Sequence, residues 1–351
     1  MITEQPTFCL VLETNNLRGG DASDTRRVRR SLCRLFDILR AQTRPIALLK
    51  EVILTHDGLR LEDQKHLTEA LGRSIRFVEI SEGTGYYEAK NKGFDATTAD
   101  VVVFADADCE PEADWLEKLT DPFADSSVGV AAGRTTYQDG VLGAAASAVD
   151  FMYFPGPKGA DPARTKDEGV TRNFYANNVA FRREVFARFR YQKADHIYRG
   201  HCQRLGLALS EAGISVRYVP QAHTVHRFPD SFGELVRLRL LRGADTVEMA
   251  PAFASTLLPP RLAWIGRAGP LSSLAVLGAR LAFSQRALGH QEMEPLGGAK
   301  KAAARAAICG ISALDTAGAL GRSLLGADLG VRDGSLVRGA LSYHHDKPHS
   351  A

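Results

Sequence analysis

Two aspartates, Asp106 and Asp108, follow the apolar segment 101–104. Three of its four residues are valines, which is typical of a strand covered on both faces. Because side chains alternate along an extended chain, both carboxylates are predicted to point the same way at the C-terminal end of this strand, where open α/β sheets bind ligands. Carboxylates so close repel each other unless a cation lies beside them. The pair therefore predicts a site for Mg²⁺ or Mn²⁺ together with a phosphate group.

A turn closed by aspartates is the other interpretation of a bare Asp-x-Asp triplet. The neighbouring elements favour the metal site, because the acids come after a strand and precede a helix that carries Trp115, Leu116 and Leu119. Strand, paired acids and helix together indicate a metal–diphosphate site.

The composition allows such a site and excludes several other classes of protein. A chain of 351 residues, 44% of them hydrophobic, is long enough for one large α/β domain with an appendage or for two domains. A net charge of +3 argues against a nucleic-acid binder, which needs a concentrated basic face. The five cysteines form no Cys-x-x-Cys pair, so neither a zinc knuckle nor a disulfide framework is expected. With no signal-peptide pattern and no apolar run of spanning length, we expect a cytoplasmic or membrane-peripheral protein.

Strand-like and helical segments alternate along the first half of the chain. The strands are predicted at 8–12, 51–54, 75–80 and 101–106, and the helices at 25–41, with Asp24 as N-cap, at 62–71 and after Gly85. This alternation predicts a mostly parallel sheet with helices on both faces. In the second half we expect a helix at 141–154, a loop rich in proline and glycine at 155–162 and a strand at 216–219.

Polar residues follow other strands of the same predicted sheet. Asp57 is placed to accept hydrogen bonds from a ribose or a base, and Lys90 and Asn91 lie one turn into a helix, where a cation would neutralise a diphosphate. Taken alone, these residues are as typical of a turn and of a solvated helix face. The Gly83-x-Gly85 pair is too short for a dinucleotide fingerprint, and the sequence contains no P-loop.

The order of these motifs resembles the family-2 glycosyltransferases over about residues 6 to 230. The motifs are Glu13-Thr14-Asn15-Asn16, Asp57-Gly58, Ala89-Lys90-Asn91-Lys92-Gly93 and Asp106-Ala107-Asp108. The resemblance implies an inverting, metal-dependent enzyme of the glycosyltransferase-A fold, with a nucleotide-sugar donor that is most often a UDP-sugar. It also implies Mn²⁺ or Mg²⁺ as cofactor.

The resemblance assigns roles to individual residues. Asp108 would bind the metal directly, and Asp106 would serve the ribose or the metal. The implied nucleotide-sugar-binding residues are Glu13, Thr14, Asp57, Lys90, Asn91 and Asp106. Glu13 and Asn15 depart from the family, which commonly has Pro and Tyr at these places.

The resemblance to the family is weakest at the catalytic base. An inverting transfer needs a group that takes the proton of the acceptor hydroxyl. The family usually places a Glu-Asp pair about ten residues before an Ala-Gly turn, and counting back from Ala212-Gly213 leads to His201 and Cys202. His201 is the candidate, because its ordinary pKa lies near neutrality. Asp195 and His196 compete for the role. A Cys–His nucleophilic pair is rejected, because neighbours on a helix diverge by about 100°.

Two further positions correspond to the family pattern in the second half. Asn178, in the pair Asn177-Asn178, is the candidate for acceptor binding, although a turn explains the pair as well. His226 is the candidate for a second metal ligand, because the family often ends this strand with a histidine that reaches back to the metal. His223 is the alternative.

The C-terminal region shows alanine- and leucine-rich helical patterns at 257–288 and 299–325, interrupted by arginines such as Arg280. We predict a catalytic domain at 1–250, divided into a nucleotide-sugar half at 1–120 and an acceptor half at 121–250. A helical extension follows at 251–340, then a tail at 341–351. A cap on the catalytic domain, peripheral membrane contact and a homodimer are all open as roles for the extension.

These observations favour a glycosyltransferase of hexosyltransferase type with a hydroxyl-bearing glycan, lipid or small-molecule acceptor and no nucleic-acid partner. A non-catalytic nucleotide-sugar-binding protein is the alternative. An Asp-dependent phosphohydrolase usually carries its acids after the first strand, whereas here they follow the fourth. A sugar-nucleotide pyrophosphorylase needs a glycine-rich loop where residues 13–16 stand.

Overall fold

A nine-stranded sheet forms the centre of the part of the chain that the computed structural model describes. The described residues are 5–14, 22–81, 84–151, 170–171, 173–193, 197, 199–258, 260–289, 293 and 295–325. The strands are β1 (Phe8–Glu13), β2 (Glu51–His56), β3 (Arg76–Glu79), β4 (Val101–Asp106), β5 (Cys109–Pro111), β6 (Val130–Tyr137), β7 (Val170–Thr171), β8 (Asn178–Arg182) and β9 (Val216–His226). Their order across the sheet is β3-β2-β1-β4-β8-β6-β9-β5, and β7 pairs with β9.

The predicted α/β fold is confirmed, but the sheet is mixed rather than mostly parallel. Strands β3, β2, β1 and β4 are parallel, as predicted for the first half. Strand β8 runs against both β4 and β6, and β5 and β7 run against β9, while β6 and β9 are parallel. A buried strand has the same apolar pattern in either direction, so the sequence did not reveal these reversals.

Helices cover both faces of the sheet, as predicted. The helices are α1 (Ala22–Arg40), α2 (Leu61–Leu71), α3 (Tyr86–Asp95), α4 (Trp115–Thr120), α5 (Val141–Asp150), α6 (Arg183–Phe189), α7 (His201–Glu211), α8 (Phe232–Leu257), α9 (Pro270–Ala287) and α10 (Gly298–Leu325). Alternate residues of β1 separate the two apolar layers: Leu10 packs with α1, α2 and α4, whereas Val11 packs with α3, α6 and α7.

Several element boundaries differ from the prediction. Helix α1 begins at Ala22, so Asp24 lies inside its first turn and not at the N-cap. Strand β5 separates Asp108 from α4. Strand β9 continues past residue 219 to His226, because Pro220 falls in an interruption of the pairing with β6, where no ladder hydrogen bond is required. The expected loop 155–162 and the tail 341–351 lie outside the described residues.

The C-terminal helices pack on one another and on α5. Helix α8 crosses residue 250, and α10 packs against α5 and α8. A Cβ built on Gly318 of α10 would overlap the carbonyl oxygen of Leu240, and one on Gly243 of α8 would overlap that of Asp315. The two helix backbones therefore touch through glycines. None of the described helices combines the length and apolar character that crossing a bilayer requires. The expected membrane or dimer contact of residues 251–340 stays a prediction.

Alanine in place of glycine should have opposite effects at two positions of α10. Gly318→Ala should lower the free energy of unfolding by about 1–3 kcal/mol, because the new methyl group forces α10 away from α8. Gly310→Ala is the matched control, since a Cβ there meets nothing within 4 Å. It should stabilise the protein by up to about 1 kcal/mol through helix propensity. Urea denaturation measures both values, and equal effects of the two substitutions would contradict the close packing of α8 and α10.

Candidate active site

The candidate site lies where the C-terminal ends of three neighbouring strands meet the end of β9. Glu13 at the end of β1 is in register with Thr55 of β2 on one side and with Asp106 of β4 on the other. Cys109, just beyond the acidic pair, is in register with His226 at the end of β9. This pairing brings the last residue of a strand from the second half of the chain to the acids of the first half.

Four potential metal ligands cluster at this edge. One ligand atom from each of Asp106, Asp108, Cys109 and His226 lies within 4.8 Å of the others. Burial raises the pKa of the Cys109 thiol well above its usual range, so that group stays protonated at neutral pH. Two carboxylates and an imidazole remain, and this oxygen-rich set with one nitrogen suits Mn²⁺ and accommodates Mg²⁺.

The imidazole of His226 is oriented for metal binding. Its Nδ1 lies 2.8 Å from the backbone oxygen of Arg227, which only accepts hydrogen bonds, so Nδ1 carries the proton. In this tautomer the lone pair is on Nε2, which lies 3.7 Å from Oδ2 of Asp108. Two acceptor atoms that face each other at this distance are the arrangement that a shared cation stabilises.

The competing histidine, His223, has other partners. Its Nδ1 lies 2.5 Å from a carboxylate oxygen of Glu112, and its Nε2 lies 2.8 Å from the hydroxyl of Thr136. Burial lowers the pKa of His223 despite the contact with Glu112. Its side chain is outside the cluster of potential metal ligands.

Asp106 already has a counter-charge within the protein. The ammonium group of Lys90 lies 2.6 Å from Oδ1 of Asp106, and the hydroxyl of Tyr86 donates to Oδ2 at 2.7 Å. Lys90 is fully buried and also donates to the carbonyl of Ala105. The sequence predicted that Lys90 would neutralise a diphosphate. In the structure its ammonium group pairs with the carboxylate of Asp106, and the contact with a diphosphate stays a prediction. Burial, followed by the charge of Asp106, raises the pKa of Tyr86 well above its usual range, so this hydroxyl remains a donor.

Asp108 lacks such a cation among the described residues. The residue is 6% exposed, and its Oδ1 has no hydrogen-bond partner in the described part of the chain. Leaving a buried carboxylate oxygen without a partner costs free energy unless a ligand satisfies it. Asp108 and His226 therefore fit a divalent cation, with Asp106 beside them.

The predicted nucleotide-binding residues surround this edge with different degrees of exposure. Glu13 and Thr14 are each 2% exposed, and the hydroxyl of Thr14 donates to the backbone oxygen of Thr55. Asp57 is half-buried and precedes Gly58, whose positive φ of 89° turns the chain away from β2. Of these three acidic and hydroxyl side chains, Asp57 is the one that solvent reaches most readily.

The two predicted ligand-binding asparagines hold the fold together. The side-chain amide of Asn91 donates to the backbone oxygen of Tyr191 and accepts from its N–H. Asn178 is fully buried, accepts from the indole of Trp115 and donates to two backbone carbonyls on β6 and β9. Its neighbour Asn177 instead lines the cleft that contains Asp106 and His226. The sequence pattern fits either asparagine, so it did not show which of the two faces the cleft.

A cleft opens beside the cluster of potential ligands. Among the predicted site residues that the structure describes, Asp106 and His226 line it. Its other polar lining residues were missed by sequence interpretation, and they include Tyr137, Asp150, Arg199, Arg242, Asp245 and Arg280. Three of the six, Arg242, Asp245 and Arg280, lie on α8 and α9, where an arginine in an apolar helix such as α9 was the available signal.

The histidine predicted as base is packed against an aromatic ring. His201 begins α7, is 8% exposed and stacks on Tyr87 with ring centroids 4.1 Å apart. Burial and the charge of Arg204 lower its pKa to about 4, so the ring is neutral at physiological pH. The residues before and after it line the cleft, whereas His201 is not among the lining residues. The competing Asp195 lies outside the described residues.

Comparison with known proteins finds similarity to the family-2 glycosyltransferases over part of the chain. The family model described as Glycosyl transferase family 2 matches residues 25–190. The chain is similar to polypeptide N-acetylgalactosaminyltransferase 11 of Xenopus tropicalis, 31% identical over 87 residues, which are 23% of this chain and 14% of the relative. It is also similar to glucosyl-dolichyl phosphate glucuronosyltransferase of Haloferax volcanii, 31% identical over 106 residues, which are 30% of this chain and 33% of the relative. The matched part is thus a third or less of the length of these relatives.

The fold extends the similarity over most of the chain. A mannosyltransferase from Pyrobaculum calidifontis, solved in complex with GDP-Man and Mn²⁺, superposes with a TM-score of 0.58 and 17% identity. The superposition covers 93% of this chain and 89% of the mannosyltransferase, so it includes the C-terminal helices. Residues 25–190 thus match the family-2 glycosyltransferase model, and the superposition shows that the chain has the glycosyltransferase-A fold.

Proposed function

We propose that this protein is a metal-dependent inverting glycosyltransferase that moves a sugar from a nucleotide-sugar, most often a UDP-sugar in this family, to an acceptor hydroxyl. The observation that carries the proposal is the pair of Asp108 and His226 at the edge of the sheet. Oδ2 of Asp108 faces Nε2 of His226, and Oδ1 of Asp108 is buried without a partner among the described residues. The mannosyltransferase of the same fold was solved with a nucleotide-sugar and Mn²⁺, which supports this assignment.

The residues around the pair suit the departure of a nucleotide diphosphate. A divalent cation bound here would neutralise the negative charge that develops on the leaving group. Asp108 and His226 would hold it, while hydrogen bonds from Lys90 and Tyr86 fix Asp106 beside them. Glu13, Thr14 and Asp57 stay the proposed contacts to base and ribose, as the family resemblance implies.

The general base is proposed among three residues. His201 and Asp195 are the candidates from the sequence, and the cleft adds Asp245 on α8. Asp245 is 4% exposed, lines the cleft and accepts a hydrogen bond from the backbone N–H of Arg199 at 3.1 Å. Asp245 lines the cleft, where an acceptor hydroxyl can approach it, whereas the His201 ring stacks on Tyr87 and does not line the cleft. We therefore favour Asp245.

The Asp-dependent phosphohydrolase is the less suitable alternative. Its first aspartate acts as a nucleophile, but both oxygens of Asp106 accept hydrogen bonds from Lys90 and Tyr86. A non-catalytic nucleotide-sugar-binding protein would bind donor and metal without turnover, so the base variants below test that alternative.

Removing either proposed ligand should weaken Mn²⁺ binding. We expect Asp108→Asn and His226→Ala each to raise the Kd for Mn²⁺ by at least about tenfold, the loss that even outer-shell changes around metals produce. Calorimetric titration of Mn²⁺ in the presence of UDP measures the change.

The matched control is His223→Gln on the same strand, because His223 contacts Glu112 and Thr136 and lies outside the ligand cluster. We expect its Kd for Mn²⁺ to stay within about threefold of the wild type, which is about 0.6 kcal/mol. Equal losses in His223→Gln and His226→Ala would refute the assignment of His226.

The base variants should differ in turnover and agree in donor binding. We expect Asp245→Asn to lower kcat for UDP-sugar hydrolysis by about a hundredfold, as loss of a general base does, and His201→Gln to lower it by less than about tenfold. The affinity for UDP and Mn²⁺ should be unchanged in both. A larger loss in His201→Gln, or in Asp195→Asn, would move the role to that residue. Absence of hydrolysis and transfer in the wild type with every nucleotide-sugar would favour the non-catalytic alternative.

Burial of His201 also predicts a dependence of stability on pH. The pKa in the folded protein is about 4 against an ordinary value of 6.5, so below pH 6.5 the unfolded chain takes up a proton that the folded protein does not. The contribution of His201 to the free energy of unfolding should fall as the pH decreases from 6.5 to about 4, and it should change no further below pH 4. Relative to His201→Gln, the wild type should lose about 3 kcal/mol over this range, as measured by urea denaturation. Parallel pH profiles of the two proteins would contradict this shift.

A further inference from the structure

Three buried arginines surround two aspartates next to the cleft. Arg239 of α8 donates to Asp150 of α5 and to both oxygens of Asp315 of α10, so it joins three helices. Arg242 pairs with Asp150, and Arg280 of α9 pairs with Asp315. Within this group, three guanidinium ions share two carboxylates. The charges of Arg239, Arg242 and Arg280 outweigh the desolvation of Asp150 and hold its pKa far below its usual range, so the carboxylate stays ionised.

Arg242 is the member of the group that both lines the cleft and retains donor capacity. It is 7% exposed, and its Nε has no hydrogen-bond partner among the described residues. A guanidinium carries five donors in a planar fork, which matches the oxygens of phosphate and carboxylate groups. A buried donor without a partner marks a position where a ligand atom is expected.

Tyr137 connects this arginine with the candidate metal centre. Its hydroxyl donates to Asp150 at 2.9 Å and accepts from Arg242 at 3.1 Å, while its ring packs edge-on against His226 with centroids 5.7 Å apart. Arg242 therefore lies on the far side of a tyrosine from the proposed metal ligand, within the same cleft. A molecule that fills the cleft from His226 to Arg242 would meet a cation site at one end and a guanidinium at the other.

We propose that Arg242, supported by Arg239 and Asp150, forms an oxyanion subsite of the cleft, and that the acceptor carries a phosphate or carboxylate group that binds there. The identification of the bound molecule as the acceptor rests on the proposed glycosyltransferase function. The subsite itself does not depend on it, because the donor diphosphate belongs with the cation at Asp108 and His226. The arginine would orient the acceptor so that its hydroxyl faces the donor sugar.

The test uses inorganic phosphate and acetate as probes of the full-length chain, titrated in EDTA so that no cation is bound. We expect phosphate or acetate to bind the wild type and Asp108→Asn equally. Arg242→Gln should bind the preferred probe about tenfold to a hundredfold more weakly, the loss of a charge-assisted hydrogen-bond pair. The preferred probe tells whether the acceptor group is a phosphate or a carboxylate.

Two further variants control for folding. Arg242→Gln leaves Asp150 with one arginine fewer, so the double variant Asp150→Asn with Arg242→Gln removes both members of the pair and should show the same loss of binding with an intact thermal transition. Arg322→Gln removes an arginine that pairs with Glu248 outside the cleft lining, and it should bind the probes as the wild type does.

Several outcomes would overturn the subsite. These are failure of both probes to bind the wild type, equal binding by Arg242→Gln and the wild type, and binding that requires Mn²⁺ and disappears in Asp108→Asn. The last would assign the anion to the metal centre. If the wild type binds neither Mn²⁺ nor UDP, the proposed function is refuted. Phosphate binding measured without metal would still support the subsite.

Discussion

The repulsion between two buried carboxylates at the end of β4 is the constraint on which the site depends. The protein stabilises one of the two carboxylates by itself, because Lys90 and Tyr86 donate hydrogen bonds to the two oxygens of Asp106. Asp108 is left with a buried oxygen that has no partner in the described part of the chain and with the lone pair of His226 opposite. A divalent cation would satisfy both groups at once, so the proposed function assigns Asp106 a fixed position and Asp108 the metal.

The rest of the fold brings distant parts of the chain to these acids. Strand β9 passes its irregularity at Pro220 and continues to His226, which would otherwise not reach the edge of the sheet. The C-terminal helices then complete the cleft, and their approach through Gly243 and Gly318 holds Asp315 against Arg239. Residues of the helical extension therefore line the candidate cleft.

Local pattern predicted the parts of this arrangement that are close in sequence. The strand–acid–helix order gave the position of Asp108, and the alternation of elements gave the parallel half of the sheet. The sequence could not show that Lys90 points inward to Asp106, because a lysine in the first turns of a helix has the same spacing whether it is buried or solvated. It could not separate Asn177 from Asn178 for the same reason. Arg242 and Asp245 were missed because their partners, Asp150 and Arg199, are far away in the chain, and such pairings become visible only in three dimensions.

The most direct test of the account is an anomalous diffraction map of crystals soaked with Mn²⁺ and UDP. The account predicts one strong manganese peak in contact with the carboxylate of Asp108 and Nε2 of His226, next to the diphosphate. A peak that contacts neither residue, or no peak at a Mn²⁺ concentration that saturates binding in solution, would contradict it.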